Sequence, residues 1–102
     1  MASRLELHKE LCKILGTNNV YYQPPESIKL TYPCIVYERR SPYKPNADDG
    51  LYLHYKSYSI TLIDRNPDSE YIDAILNRFN LCSHDRHFTN DNLNHDTFTL
   101  YY

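Results

Sequence analysis

The sequence predicts an α+β fold: a single domain over residues 1–102, in which a mostly antiparallel sheet of about four to five strands carries two helices on one face. Three observations predict it. Residues 58–63 alternate apolar and polar, and after a stop at Asp64-Arg65-Asn66-Pro67 the chain runs directly into an amphipathic helical pattern. The amino terminus carries a second helical stripe. From Asp96 to Tyr102 the chain again alternates with the period of two expected of a half-buried strand.

Taken in order, Ser3 and Glu6 form a capping box, and Leu7, Leu11, Ile14 and Leu15 place one apolar stripe on a helix over about 4–15. Gly16, tolerant of the left-handed conformation, ends it. Val20-Tyr21-Tyr22 reads as an edge strand, stopped by Pro24-Pro25, with a linker to Tyr32 behind it. Pro33 opens the next strand, Cys34–Arg39, whose continuous apolar part predicts burial on both faces near the sheet centre. The stretch SPYKPNADDG has two prolines, a glycine and no periodicity, so a long exposed loop is expected over about 41–54.

In the central strand Tyr58, Ile60 and Leu62 share one face, and Ser57, Ser59 and Thr61 share the other. Asn66 is a good N-cap, Pro67 suits the first helical position, and Asp68 and Glu70 lie at the positive end of the dipole, so a helix is expected over about 67–79. Its stripe is Ile72, Ile75, Leu76 and Phe79. Leu81 to Phe88 alternates loosely, Thr89 to Asn92 is turn-like, and the last strand sets Phe98, Leu100 and Tyr102 against Thr97, Thr99 and Tyr101.

A chain of 102 residues buries about 65% of its unfolded surface, which makes a modest core. Eleven tyrosines against three phenylalanines and no tryptophan favour sheet faces and protein interfaces, because a tyrosine ring is buried while its hydroxyl stays wet. The net charge of −2 and the absence of any Lys/Arg run speak against direct nucleic-acid recognition. No apolar run reaches the roughly 18 residues of a membrane span, and MASRLELHKE lacks the order of a signal peptide, so no membrane association and a cytoplasmic site of synthesis are expected. Cys12, Cys34 and Cys82 form no C-x-x-C pair; reduced, partly buried thiols are expected, with a structural disulfide as the alternative.

Chemistry-bearing residues concentrate in Cys82, His84, Asp85, His87, Asp91, His95 and Asp96. If Leu81 to Phe88 is a strand, Cys82 and His84 face one way and Asp85 and His87 the other, so the H-x-x-H pair cannot converge on one ion; on a helix it could, but Ser83, Asp85 and the lack of a helical apolar stripe favour strand or irregular chain. The best metal site would be His84, Cys82 and His95 across a hairpin; solvated or hydrogen-bonded side chains are the expected outcome. Asp64, Arg65, Asp68 and Glu70 already have roles in the turn and the helix start. No nucleophile elbow, P-loop or dinucleotide motif occurs, and the two glycines cannot build a phosphate cradle. Neither enzymatic activity nor a cofactor is expected. The uncovered sheet face, carrying Ser57, Ser59, Thr61, Thr97, Thr99 and Tyr101, suits either water or a subunit contact.

Three stretches, NNVYYQPPESIKLTYPCIVYERR, YSITLIDRNPDSEYIDAIL and DNLNHDTFTLYY, together resemble small proteins of tailed-phage morphogenesis, the siphophage-like tail terminator or tail completion family. They cover more than half the chain in the same order. The resemblance implies a structural virion subunit forming a six-membered ring at the head-proximal end of a long non-contractile tail, assembled in the host cytoplasm. It implies three partners: other copies of the chain, the tail tube protein and a head-completion or connector protein. A ring needs heterologous contacts, in which one patch meets a different patch on the next copy. The candidates for axial contact are Tyr43, Lys44, Asp48 and Asp49, flanked by Arg39, Arg40, Tyr52 and Tyr55. Tyr21, Tyr22, Tyr101 and Tyr102 are the candidates for subunit contact. Two alternatives stand beside this reading: a head-completion, stopper or other neck ring protein, and a small metal-dependent hydrolase or nuclease using His84 to His95.

Overall fold

The computed structural model describes residues 4–25, 27–40 and 56–102. Ser3 of the expected capping box, and the whole loop expected at 41–54, lie outside them. The element order is α1 (Arg4–Leu15), β1 (Val20–Tyr22), β2 (Cys34–Arg39), β3 (Ser57–Asp64), α2 (Tyr71–Arg78), β4 (Cys82–Asn90) and β5 (Leu93–Tyr101). The five strands form one sheet in the order β1-β2-β3-β5-β4, antiparallel at every pairing except the parallel β1–β2. The fold is α+β, as the sequence patterns predict.

Register puts the apolar side chains on one face. Ile35, Tyr37, Tyr58, Ile60, Leu62, Phe98 and Leu100 lie on neighbouring strands as cross-strand pairs such as Ile35–Leu62, Tyr37–Ile60 and Ile60–Phe98. Leu7, Leu11 and Leu15 of α1 and Ile75 of α2 are buried in the same core, with Phe79 just beyond α2. Both helices therefore cover that face. Each such leucine or isoleucine contributes about 1.5–3 kcal/mol through burial. β2 also buries Cys34 on the opposite side, where it pairs in register with the buried Ile63; the expectation of burial on both faces holds there.

α1 ends as expected: Gly16 has φ +78° and its N–H bonds the Cys12 carbonyl at 2.8 Å. α2 does not begin where the pattern predicts. The Asn66 side chain accepts from the Asp68 N–H at 3.0 Å, but Asp64 Oδ1 also accepts from the Asn66 N–H and Ser69 Oγ from the Tyr71 N–H. Successive side-chain turns of this kind hold the backbone that a helix would otherwise take up. Residues 65–70 are consequently a turn, and the helix starts at Tyr71 with Glu70 as its N-cap. The strand expected to end at Phe88 continues to Asn90, because the reversal needs only Asp91 and Asn92, with φ +52° and +62°.

Candidate functional site

The face of the sheet away from the helices is lined by hydroxyls. Ser57 pairs with Tyr101, Ser59 with Thr99 and Thr61 with Thr97, and all six are half-buried. A network of side-chain hydrogen bonds fixes part of this face. Arg40 Nη1 donates to Thr99 Oγ1 at 2.9 Å, the Thr99 hydroxyl donates to Asp85 Oδ2, and the Ser83 hydroxyl donates to Asp85 Oδ1 at 3.0 Å. The network reaches from the exit of β2 across β5 to β4. Farther along, Phe88 and His95 stack at 4.8 Å and the Arg86 guanidinium lies 4.9 Å from the Phe88 ring. By register the same face carries Val36, Phe88 and the buried Cys34 and Ile63, and its polar part is pre-ordered by these bonds.

Several of the predicted contact residues gather at one end of this sheet. The Arg40 N–H bonds Ser57 O, and Lys56 and Tyr102 exchange two backbone bonds of 3.0 and 2.9 Å. Arg39 and Arg40 are exposed. Arg40 and Lys56, which flank the 41–55 segment, thus lie beside the last residues of the sheet. Tyr21 and Tyr101 are on the open face by register, whereas Tyr22 and Tyr102 turn toward the helices. Tyr22 packs 4.9 Å from Tyr37, and Tyr102 meets Phe79 edge-on at 5.8 Å, so these two rings are engaged within the chain. The candidates Tyr43, Lys44, Asp48, Asp49, Tyr52 and Tyr55 lie outside the described residues.

The histidine cluster differs from its expected geometry. A β-bulge between His84 and Arg86 makes Asp85 an extra residue, which restores His87 to the face of His84. The expectation that the two imidazoles face opposite ways is therefore wrong, although what they meet is a carboxylate and not an ion. Both imidazoles meet one oxygen of Asp96: His84 Nε2 at 3.0 Å and His87 Nδ1 at 2.7 Å. Asp96 is 2% exposed, while the two imidazole side chains are 33% and 41% exposed. An ionised carboxylate only accepts, which places the proton of His84 on Nε2 and that of His87 on Nδ1. His95 stands on the opposite face against Phe88, so the expected combination of Cys82, His84 and His95 does not form. Among the described residues no group of three or more His, Cys, Asp or Glu side chains is placed to hold a metal ion.

A second cluster has no forewarning in the sequence beyond the i,i+4 spacing of Arg4 and His8. Tyr37 is fully buried, yet its hydroxyl meets His8 Nδ1 at 2.8 Å and Arg4 Nη1 at 3.3 Å. The Arg4 guanidinium also lies 4.2 Å from the Tyr22 ring centre. Burial, and then the neighbouring Arg4, push the His8 imidazole below its ordinary pKa. The thiols are the unpaired groups expected. Burial raises all three, with Cys34 and Cys82 pushed up to about 11, so none is an activated nucleophile. A polar depression at the hairpin tip is lined by Thr89, Asn90, Asp91, Asn92 and Asn94. Compared with protein-family models, with curated proteins and with solved structures, the chain finds no match in any of the three.

Proposed function

We propose that this chain is a ring-forming structural subunit of a phage tail, of the tail-terminator kind, which ends polymerisation of the tube and joins the tail to the head-completion complex. The observation that carries the reading is the open sheet face. Six hydroxyl-bearing side chains form three cross-strand pairs there, and Arg40 and Lys56, which flank the 41–55 segment, lie at its end beside Tyr101 and Tyr102. An ordered face bearing tyrosine, serine and threonine suits burial against another protein, since its hydroxyls find partners on either side of the contact. Among the described residues the sheet ends on two unlike edges, the three-residue β1 and the bulged β4, which suit head-to-tail neighbours more than a two-fold pairing of like edges. In this reading the exposed Arg39 and Arg40 contribute to the axial contact with the tube or the head.

The test is genetic. A stop codon in the gene of a phage carrying this chain, viewed by negative-stain microscopy, is expected to give overlong tubes of variable length without heads attached. Tails of normal length beside leaking heads would move the protein to a head-completion role, and normal infectious particles would end the structural reading.

A further inference from the structure

The Tyr37 hydroxyl is the one polar atom that the middle of β2 sends up into α1, and it is bound on two sides. Arg4 has only donors, so at 3.3 Å it must donate and the phenolic oxygen must accept. The hydroxyl hydrogen is then free to be given to His8 Nδ1 at 2.8 Å. We propose that the amino-terminal half of α1 is fastened to the sheet by a proton-sensitive latch, in which Tyr37 donates to unprotonated His8 Nδ1 and which opens when that nitrogen takes up a proton. The inference concerns the helix and is independent of the ring-subunit reading.

Protonation of Nδ1 turns the acceptor into a second donor. The Tyr37 oxygen then faces two cations, and its own hydrogen loses the acceptor that it had at Nδ1. Among the described residues the cations that act on the cluster are Arg4 of α1, on His8, Tyr37 and Tyr58, and Arg39 of β2, on Tyr58; the other groups facing it, Tyr22 of β1 and Tyr58 of β3, are uncharged phenols between pH 5 and 7.5. An imidazolium in this setting gains no counter-charge and meets the Arg4 guanidinium. The lowered pKa of His8 agrees in sign: the group favours folding above its unfolded value near 6.5 and withdraws that contribution as pH falls below it.

The experiment uses the full chain labelled with nitrogen-15. At pH 7.5 the His8 ring is expected as the Nε2–H tautomer, with Nδ1 as an acceptor, and to titrate below about 6.5. Between pH 7.5 and 5.0, amide protection of His8 to Leu11, corrected for intrinsic exchange, should fall relative to the amides of α2. In His8→Asn, whose Oδ1 accepts the same hydrogen without titrating, the ratio should stay level with pH. A proton on Nδ1 at pH 7.5 would overturn the proposal without recourse to any variant, and so would an equal loss of protection in His8→Asn.

Discussion

At the scale of single residues, the strongest local commitment is Asp96. A buried carboxylate that accepts from two imidazoles gains about 1.5–3 kcal/mol from each such bond when both are dry, less where the donors are partly exposed as here. Asp96→Ala is therefore expected to lower stability by about 2–3 kcal/mol in urea unfolding. Asp96→Asn, which keeps one acceptor oxygen, should cost less. Cys34 offers a different check. Its thiol is fully buried and pushed up to about 11, so at pH 8 it should resist alkylation until the chain unfolds. Gly16 is a third case: among the described residues beyond its chain neighbours nothing lies within 4 Å of where a Cβ would stand, and the penalty of Gly16→Ala is that of its positive φ, about 1 kcal/mol by thermal unfolding.

At the scale of elements, burial periodicity was legible and local turn chemistry was less so. The alternation Tyr58, Ile60, Leu62 and its partner Phe98, Leu100 could be read because both faces of the sheet demand opposite polarity, and a slip of one residue would invert both strands. The start of α2 was not legible, since Asn66 and Pro67 fit a helix cap and an Asx turn equally well; only the added bonds from Asp64 and Ser69 decide for the turn. The convergence of His84 and His87 was hidden for a related reason. A bulge shifts every later residue of β4 to the other face, and the sequence around Asp85 has no glycine to announce it. The Arg4–His8–Tyr37 cluster joins residues 29 and 33 positions apart, which no local pattern reveals. The β4–β5 reversal gives a prediction at this scale: Asn92→Val should destabilise the hairpin by about 1–2 kcal/mol in urea unfolding, because a β-branched residue is strained at φ +62°.

At the scale of the whole molecule, the helices cover one face and leave a face of paired hydroxyls with Arg40 and Lys56 at its end. Tyr101 belongs to that face, whereas Tyr102 packs on Phe79. Tyr102→Asp should lower the melting temperature, as differential scanning fluorimetry would record, and Tyr101→Asp is expected to prevent the proposed assembly. The proposed ring-subunit role of this face can be tested by supplying variants to a phage that carries this chain and whose own copy is stopped. Thr61 and Thr97 are a cross-strand pair at the middle of the open face, remote from the core. We would measure tail lengths by negative-stain microscopy after complementation with the parent chain or with the Thr61→Arg, Thr97→Arg variant, the latter first shown to be folded. Tails of normal length with the parent and overlong, headless tubes with the variant are the predicted result. Tails of one normal length, joined to filled heads in both, would contradict the account.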